Sequence, residues 1–168
     1  KARLYSPDGT PKSNVIDLLA DTTIGSGLGN YDIAMANNGN FATAWWISGK
    51  IYTRLYNPEG LPKTKVIELC EENINYHPKI SMNNNGEYVV AWAQYYFYSP
   101  ENHYSKIYAQ LFSSEGKKQG DKVLVDSIQG KFGGEDFGGY WISDIAIDGK
   151  GNYVTLLNFF AETYSSLY

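Results

Sequence analysis

Cysteine, histidine, arginine and charge are all scarce in this chain, and each shortage removes a class of chemistry. A single cysteine, Cys70, leaves no partner for an intramolecular disulfide framework. It ends a strand-like run, "VIELC", and reads as a buried structural thiol, with no base that would make it a nucleophile. The two histidines, His77 and His103, stand in separate segments without a ligand-spaced neighbour, so no metal site and no cofactor are expected. Charged residues make up 19% of the chain, the net charge is −4, and no basic block exceeds Lys117-Lys118. Such a balance argues against nucleic acid as a partner. No apolar run approaches the roughly 18 residues of a spanning helix, so no membrane insertion is expected. Nor does any stretch carry the apolar period of an amphipathic helix.

What the chain does have is apolar and aromatic mass. Its 168 residues are 43% hydrophobic, which suits one well-buried domain. Aromatics reach 15%, including 15 Tyr and 4 Trp, so much of the surface must be amphipathic ring rather than ion.

That mass is arranged as a repeat. "RLYSPDGTPK" begins at Arg3 and "RLYNPEGLPK" at Arg54, with a weaker copy, "QLFSSEGKKQ", beginning at Gln110. A second landmark recurs without a gap: "IAMANNGNF" from Ile33, "ISMNNNGEY" from Ile80 and "IAIDGKGNY" from Ile145. A period near fifty residues is a signature of propellers, solenoids and arrays. Within each unit the apolar period is two, as in a short strand, and each Asn/Gly cluster closes a tight turn. "FATAWW", "YVVAW" and "YVTLL" follow as strands apolar on both faces; "IYTRLY" and "IYAQLF" alternate; "KVIEL" and "KVLVD" come last.

Four short antiparallel strands per unit predict an all-β fold of blade repeats, a β-propeller or partial propeller of about three blade-equivalents. The expected division is a trailing half-blade at 1–31, blades at 32–78 and 79–143, and a leading half-blade at 144–168. Strands are expected near 32–36, 40–47, 50–56, 63–69, 79–83, 87–97, 105–112, 121–126, 144–148 and 152–160. Trp45 and Trp92 share one blade position and should be buried, with Ile33, Ile80 and Ile145 packed nearby. Closing the ring would take further blades or a second copy of the chain. A stacked β-sandwich array is the alternative architecture.

The pattern "GEYVVAW…KIYAQLFSSEGKKQGDKVLVD…ISDIAIDGKGNYV" resembles the tandem repeats of about fifty residues found in large secreted and cell-surface bacterial proteins. The likeness covers nearly the whole chain, and its motifs are mostly structural. It implies an extracellular or cell-surface location and a role such as adhesion, with no catalytic residues to carry over. The chain departs from the pattern in long insertions at 93–105 and 126–143, and in Leu157 standing where the other copies have Trp.

In a four-stranded blade the 1–2 and 3–4 turns share one face, and the other connections share the opposite one. Here the first set is short and near-identical, whereas the second varies in length and gathers aromatics, which is where function usually resides. "QYYFYSPENHY" offers Tyr95, Tyr96 and Tyr98 beside Glu101, Asn102 and His103. "FGGEDFGGYW" offers Asp136, Tyr140 and Trp141, without the lysine and helix that a phosphate loop needs. Sugars are recognised by such mixtures, because their C–H faces stack on rings while hydroxyls pair with amides and carboxylates. The plainer reading is a hairpin extension whose tyrosines pack on a neighbouring blade.

The expected function is a non-catalytic extracellular module binding a glycan or cell-surface protein through these loops. The alternative is a structural or assembly repeat. A polysaccharide-active enzyme is the third reading, although no catalytic residue is marked. Arg3 and Arg54 occupy one repeated strand position and cannot form a carboxylate-binding arginine cluster.

Overall fold

The computed structural model describes residues 1–18, 29–70, 74–99, 102–130 and 136–163. The described residues form ten strands: β1 (Tyr31–Met35), β2 (Phe41–Ile47), β3 (Lys50–Tyr56), β4 (Ile67–Glu68), β5 (Ile74–Met82), β6 (Tyr88–Ser99), β7 (Asn102–Phe112), β8 (Lys118–Gly130), β9 (Asp136–Ile147) and β10 (Tyr153–Thr163). They build three antiparallel sheets, ordered β1-β2-β3-β4, β5-β6-β7-β8 and β9-β10. No helix occurs among the described residues, so the fold is all-β, made of blade-like repeats.

The repeat seen in the sequence is a repeat in space. Ile33 pairs with Thr43, Ile80 with Val90 and Ile145 with Thr155, placing equivalent residues at equivalent registers. Upstream of β1, isolated bridges join Ala2 to Ile16 and Tyr5 to Pro11, the latter matching the bridge between Tyr56 and Pro62. Residues 1–18 therefore hold the two outer strand positions of a preceding blade. The same side-chain bond recurs in each copy. Arg3 Nε donates to Ser13 O at 3.1 Å, Arg54 Nε to Thr64 O at 2.9 Å, and Gln110 Nε2 to Gly120 O at 3.1 Å. Both arginines thus belong to the blade.

Strand alternation sorts the apolar residues into two layers. Ala42, Ala44 and Leu55 meet Val90, Trp92 and Phe112 between the first and second sheets. Val89, Ala91 and Ile107 meet Ile142 and Ile145 between the second sheet and β9–β10. Because every second residue of β6 serves a different layer, its middle stretch is buried on both sides. Burying such side chains contributes about 1.5–3 kcal/mol each. Phe41 stacks on Tyr56 and Tyr88 on Phe112, with centroids 4.9 and 4.7 Å apart, closing each blade beside its turns. First strands lie against first strands, β1 on β5 and β5 on β9, which puts them innermost around a common axis.

Three expectations are revised. Ile33 is 52% exposed, whereas its equivalents Ile80 and Ile145 are 6% and 5% exposed. The reason is positional: residues 1–18 cover only the outer part of the first sheet's free face, and β1 is the inner strand. The expected strand at 63–69 contracts to Ile67–Glu68. Thr64 instead answers β3 with its side chain and carbonyl, its Oγ1 accepting from Leu55 N at 3.2 Å. In the other direction, β5 to β10 run well past their expected ends, because the segments read as loops are mostly paired strand.

Candidate functional site

β2 turns back at Ser48-Gly49, directly after Ile47. Counting from the equivalent residues Phe41 and Tyr88, Ile47 corresponds to Gln94, yet β6 continues to Ser99 and β7 begins at Asn102. The second blade therefore overtops the first by the end of its β6–β7 hairpin. The extension is sheet rather than loop: Tyr95 pairs with Ile74 and Ser105, and Ser105 with Ile128. Four strands thus support it.

Parity decides which side chains share the overhanging face. Val90 and Trp92 face the first sheet, so Gln94 and Tyr96 continue that row on β6. Phe112 and Tyr108 pack against the same layer, so Lys106 and Tyr104 continue it on β7. Cross-strand pairing sets Gln94 opposite Lys106 and Tyr96 opposite Tyr104. Lys106 Nζ stands 5.2 Å from the Tyr96 ring centroid, and Lys122 Nζ stands 4.5 Å from that of Tyr108. Each ammonium over a ring contributes about 0.5–1 kcal/mol when exposed. The face thus sets flat rings beside cationic groups, with the Gln94 amide buried at its foot.

Beside it, toward the outer edge, a groove of about 690 Å³ is lined by Glu68, Cys70, Gln94, Gln110, Asp121 and Lys122, among others. It lies between the end of the first sheet at Glu68–Cys70 and residues of β6, β7 and β8. Lys50 Nζ donates to Glu68 Oε1 at 2.8 Å on its rim, which raises the lysine above its ordinary value. Cys70 is buried, and its sulfur accepts from Ile51 N at 3.3 Å. Burial pushes its thiol up from the ordinary value, the reverse of what a nucleophile needs.

The sequence-predicted residues fall at two neighbouring hairpin ends. Tyr95 and Tyr96 are half-buried on β6, with Tyr95 packed toward the second apolar layer and Tyr96 on the overhanging face. The backbones of Tyr98, Asn102 and His103 lie in the same hairpin, where His103 pairs with Phe97 and Gly130. Glu101 lies outside the described residues. Asp136, Tyr140 and Trp141 are backbone positions of β9, opposite Thr163, Phe159 and Asn158 of β10. His77 sits at a bulge of β5, and Asn30 Nδ2 lies 2.7 Å from its Nδ1. Desolvation and the charge of Lys79 hold that imidazole below its ordinary value. Sequence reasoning missed Tyr104, Lys106, Gln110 and Lys122. The signal for Tyr104, Lys106 and Gln110 was there in the alternation of "YSKIYAQ" against "WAQYY", which aligns every second residue across the hairpin once the register is known, whereas Lys122 stands outside it on β8.

Compared with known proteins, the chain matches no family model and no curated protein sequence.

Proposed function

We propose that this chain is a non-catalytic recognition module, acting outside the cell or at its surface, that binds a glycan through the overhanging β6–β7 face and the adjoining end of β9–β10. The observation that carries the reading is the pair Tyr96 and Tyr104, held on four-stranded sheet above the shorter first blade, with Lys106 over the Tyr96 ring and the buried Gln94 at the foot of the row. Rings spaced along one face accept the C–H faces of successive sugars, while the Lys106 ammonium pairs with hydroxyl or carboxylate groups. The groove beneath, with Glu68, Asp121, Gln94 and Gln110, extends the polar surface along the same path. Tyr98, Asn102, His103, Asp136, Tyr140 and Trp141 stand on the hairpins that would flank a bound oligosaccharide.

A glycan array probed with the intact chain tests this. Binding to a structurally related set of oligosaccharides, weakened about tenfold or more by Tyr96→Ala with unchanged melting, is the expected result. An array silent at millimolar sugar, with the same face capturing a cell-surface protein, would assign the site to protein recognition instead. If Tyr96→Ala lowers stability and no ligand is found, the tyrosines serve blade packing.

A further inference from the structure

The turns that follow β1, β5 and β9 share one design, and a single residue makes the first of them chemically different. Ala36, Asn83 and Asp148 hold the same place in the repeat, as do Asn38, Asn85 and Lys150. In the second and third turns the leading side chain caps the turn. Asn83 Oδ1 accepts from Asn85 N and Glu87 N, both at 3.0 Å. Asp148 Oδ1 accepts from Lys150 N and Asn152 N at 2.8 and 2.9 Å. Ala36 has no side-chain acceptor. In the first turn Asn40 N therefore donates to Asn38 Oδ1 instead, at 3.0 Å.

Asn38 is thus held differently from Asn85. The Asn85 side chain reaches the next turn, where its Nδ2 donates to Gly149 O at 3.0 Å. Asn83 Nδ2 reinforces that joint by donating to Asp148 O, also at 3.0 Å. Asn38 is exposed, and its Nδ2 meets no acceptor among the described residues. A neighbouring turn is present for it too, since β5 lies against β1 as β9 lies against β5.

Both asparagines precede a glycine, whose missing side chain leaves the backbone nitrogen open to attack the asparagine amide. At the first turn Gly39 N adds to Asn38 Cγ. The Cγ–Nδ2 bond breaks, ammonia leaves with the Gly39 proton, and a cyclic imide remains. Water then opens either imide carbonyl, giving an aspartyl or an isoaspartyl residue. Negative charge gathers on Oδ1 as the nitrogen adds, and Asn40 N already points a donor at that atom. Asn85 must first give up its bond to Gly149, and its Oδ1 has no backbone donor among the described residues. The attacking nitrogens are held alike, Gly39 N by Ala36 O at 2.9 Å and Gly86 N by Asn83 O at 3.0 Å. The side chains make the difference.

We propose that Asn38-Gly39 is a self-modifying site of the folded chain, converting with time to an aspartyl or isoaspartyl turn, while the matching pair Asn85-Gly86 is held intact. The product carries a new carboxylate and, in the isoaspartyl form, an extra backbone carbon in the tight turn between β1 and β2.

The test incubates the native chain in mildly alkaline buffer and follows peptides covering the two turns. Mass reports loss of the amide, and an isoaspartyl carboxyl methyltransferase reports the isomer. Residue 38 should convert about five- to tenfold faster than residue 85, the ratio expected when one further hydrogen bond must break first. In the unfolded chain the two should convert at similar rates, because Asn37-Asn38-Gly39 and Asn84-Asn85-Gly86 are the same tripeptide. Ala36→Asn supplies the missing acceptor for Asn40 N and should slow residue 38 toward the rate of residue 85. Equal native rates, a faster Asn85, or an inert Asn38 in a chain that converts when unfolded would each overturn the proposal. So would an Ala36→Asn variant that keeps its strand spectrum and reacts like the parent.

Discussion

At the residue scale, position in the repeat determines burial only where both neighbouring blades are present. Trp45 and Trp92 were legible as core because each lies in a run apolar on both faces, and both are buried. Ile33 carried the same signal as Ile80, but its alignment says where it sits in a blade and nothing about what covers the blade. Trp92 lies in the layer between the first two sheets and tilts against Tyr108, with centroids 6.0 Å apart. Truncating it to Ala should cost about 3–5 kcal/mol through lost contact and a residual cavity. Trp92→Phe should cost much less, because the indole N–H finds no acceptor among the described residues and so takes no hydrogen bond with it. Denaturant titration of the pair checks this; equal losses would show that the indole nitrogen is bonded after all. Cys70 gives a second residue-scale expectation. Its raised thiol stays protonated at pH 8, so a disulfide reagent should react with the native chain far more slowly than with the unfolded chain. Rapid native labelling would contradict the burial seen here.

At the element scale, the turns were the most legible part and the strand ends the least. Asn/Gly clusters announce their own geometry, and Gly39, Gly86 and Gly151 all adopt φ between 82° and 85°. Hairpin extensions announce little, because Ser99-Pro100 and Asn102 look like punctuation even when the flanking residues pair across four strands. Two turn glycines separate backbone cost from crowding. A methyl at Gly151 meets nothing within 4 Å, so Gly151→Ala should cost about the 1–2 kcal/mol of a left-handed residue. At Gly39 the added carbon would lie 3.0 Å from the Cβ of Pro58, on a ring that cannot rotate away. Gly39→Ala should therefore be clearly worse, as thermal melting would show. The third turn also carries an acid-sensitive contact. Asp148 is held below its ordinary value first by the Asn152 side chain and then by the backbone N–H of Lys150. A lowered carboxylate contributes stability above its unfolded pKa and loses it as pH falls through the folded one. Asn83 fills the equivalent place, accepting from Asn85 N and Glu87 N. Asp148→Asn should thus be nearly neutral at pH 7 and flatten the decline of stability below about pH 4; a large loss at pH 7 would show that the charge itself is needed.

At the scale of the whole molecule, the described structure is an open arc whose two free faces carry the largest exposed apolar residues of the inner strands. A two-stranded sheet is only marginally stable when uncovered, and β9–β10 pack against the second blade through Ile142 and Ile145. Val154 and Leu156 of β10 are exposed on the other face, whereas the middle of β6 is buried on both. Local opening of β9–β10 should therefore cost less free energy than opening of β6. Amide exchange reads this: Val154 and Leu156 should exchange well before Val89 and Val90. Equal protection of the two strands would show that β9–β10 open only with the whole fold, so that one covering sheet is enough to hold them.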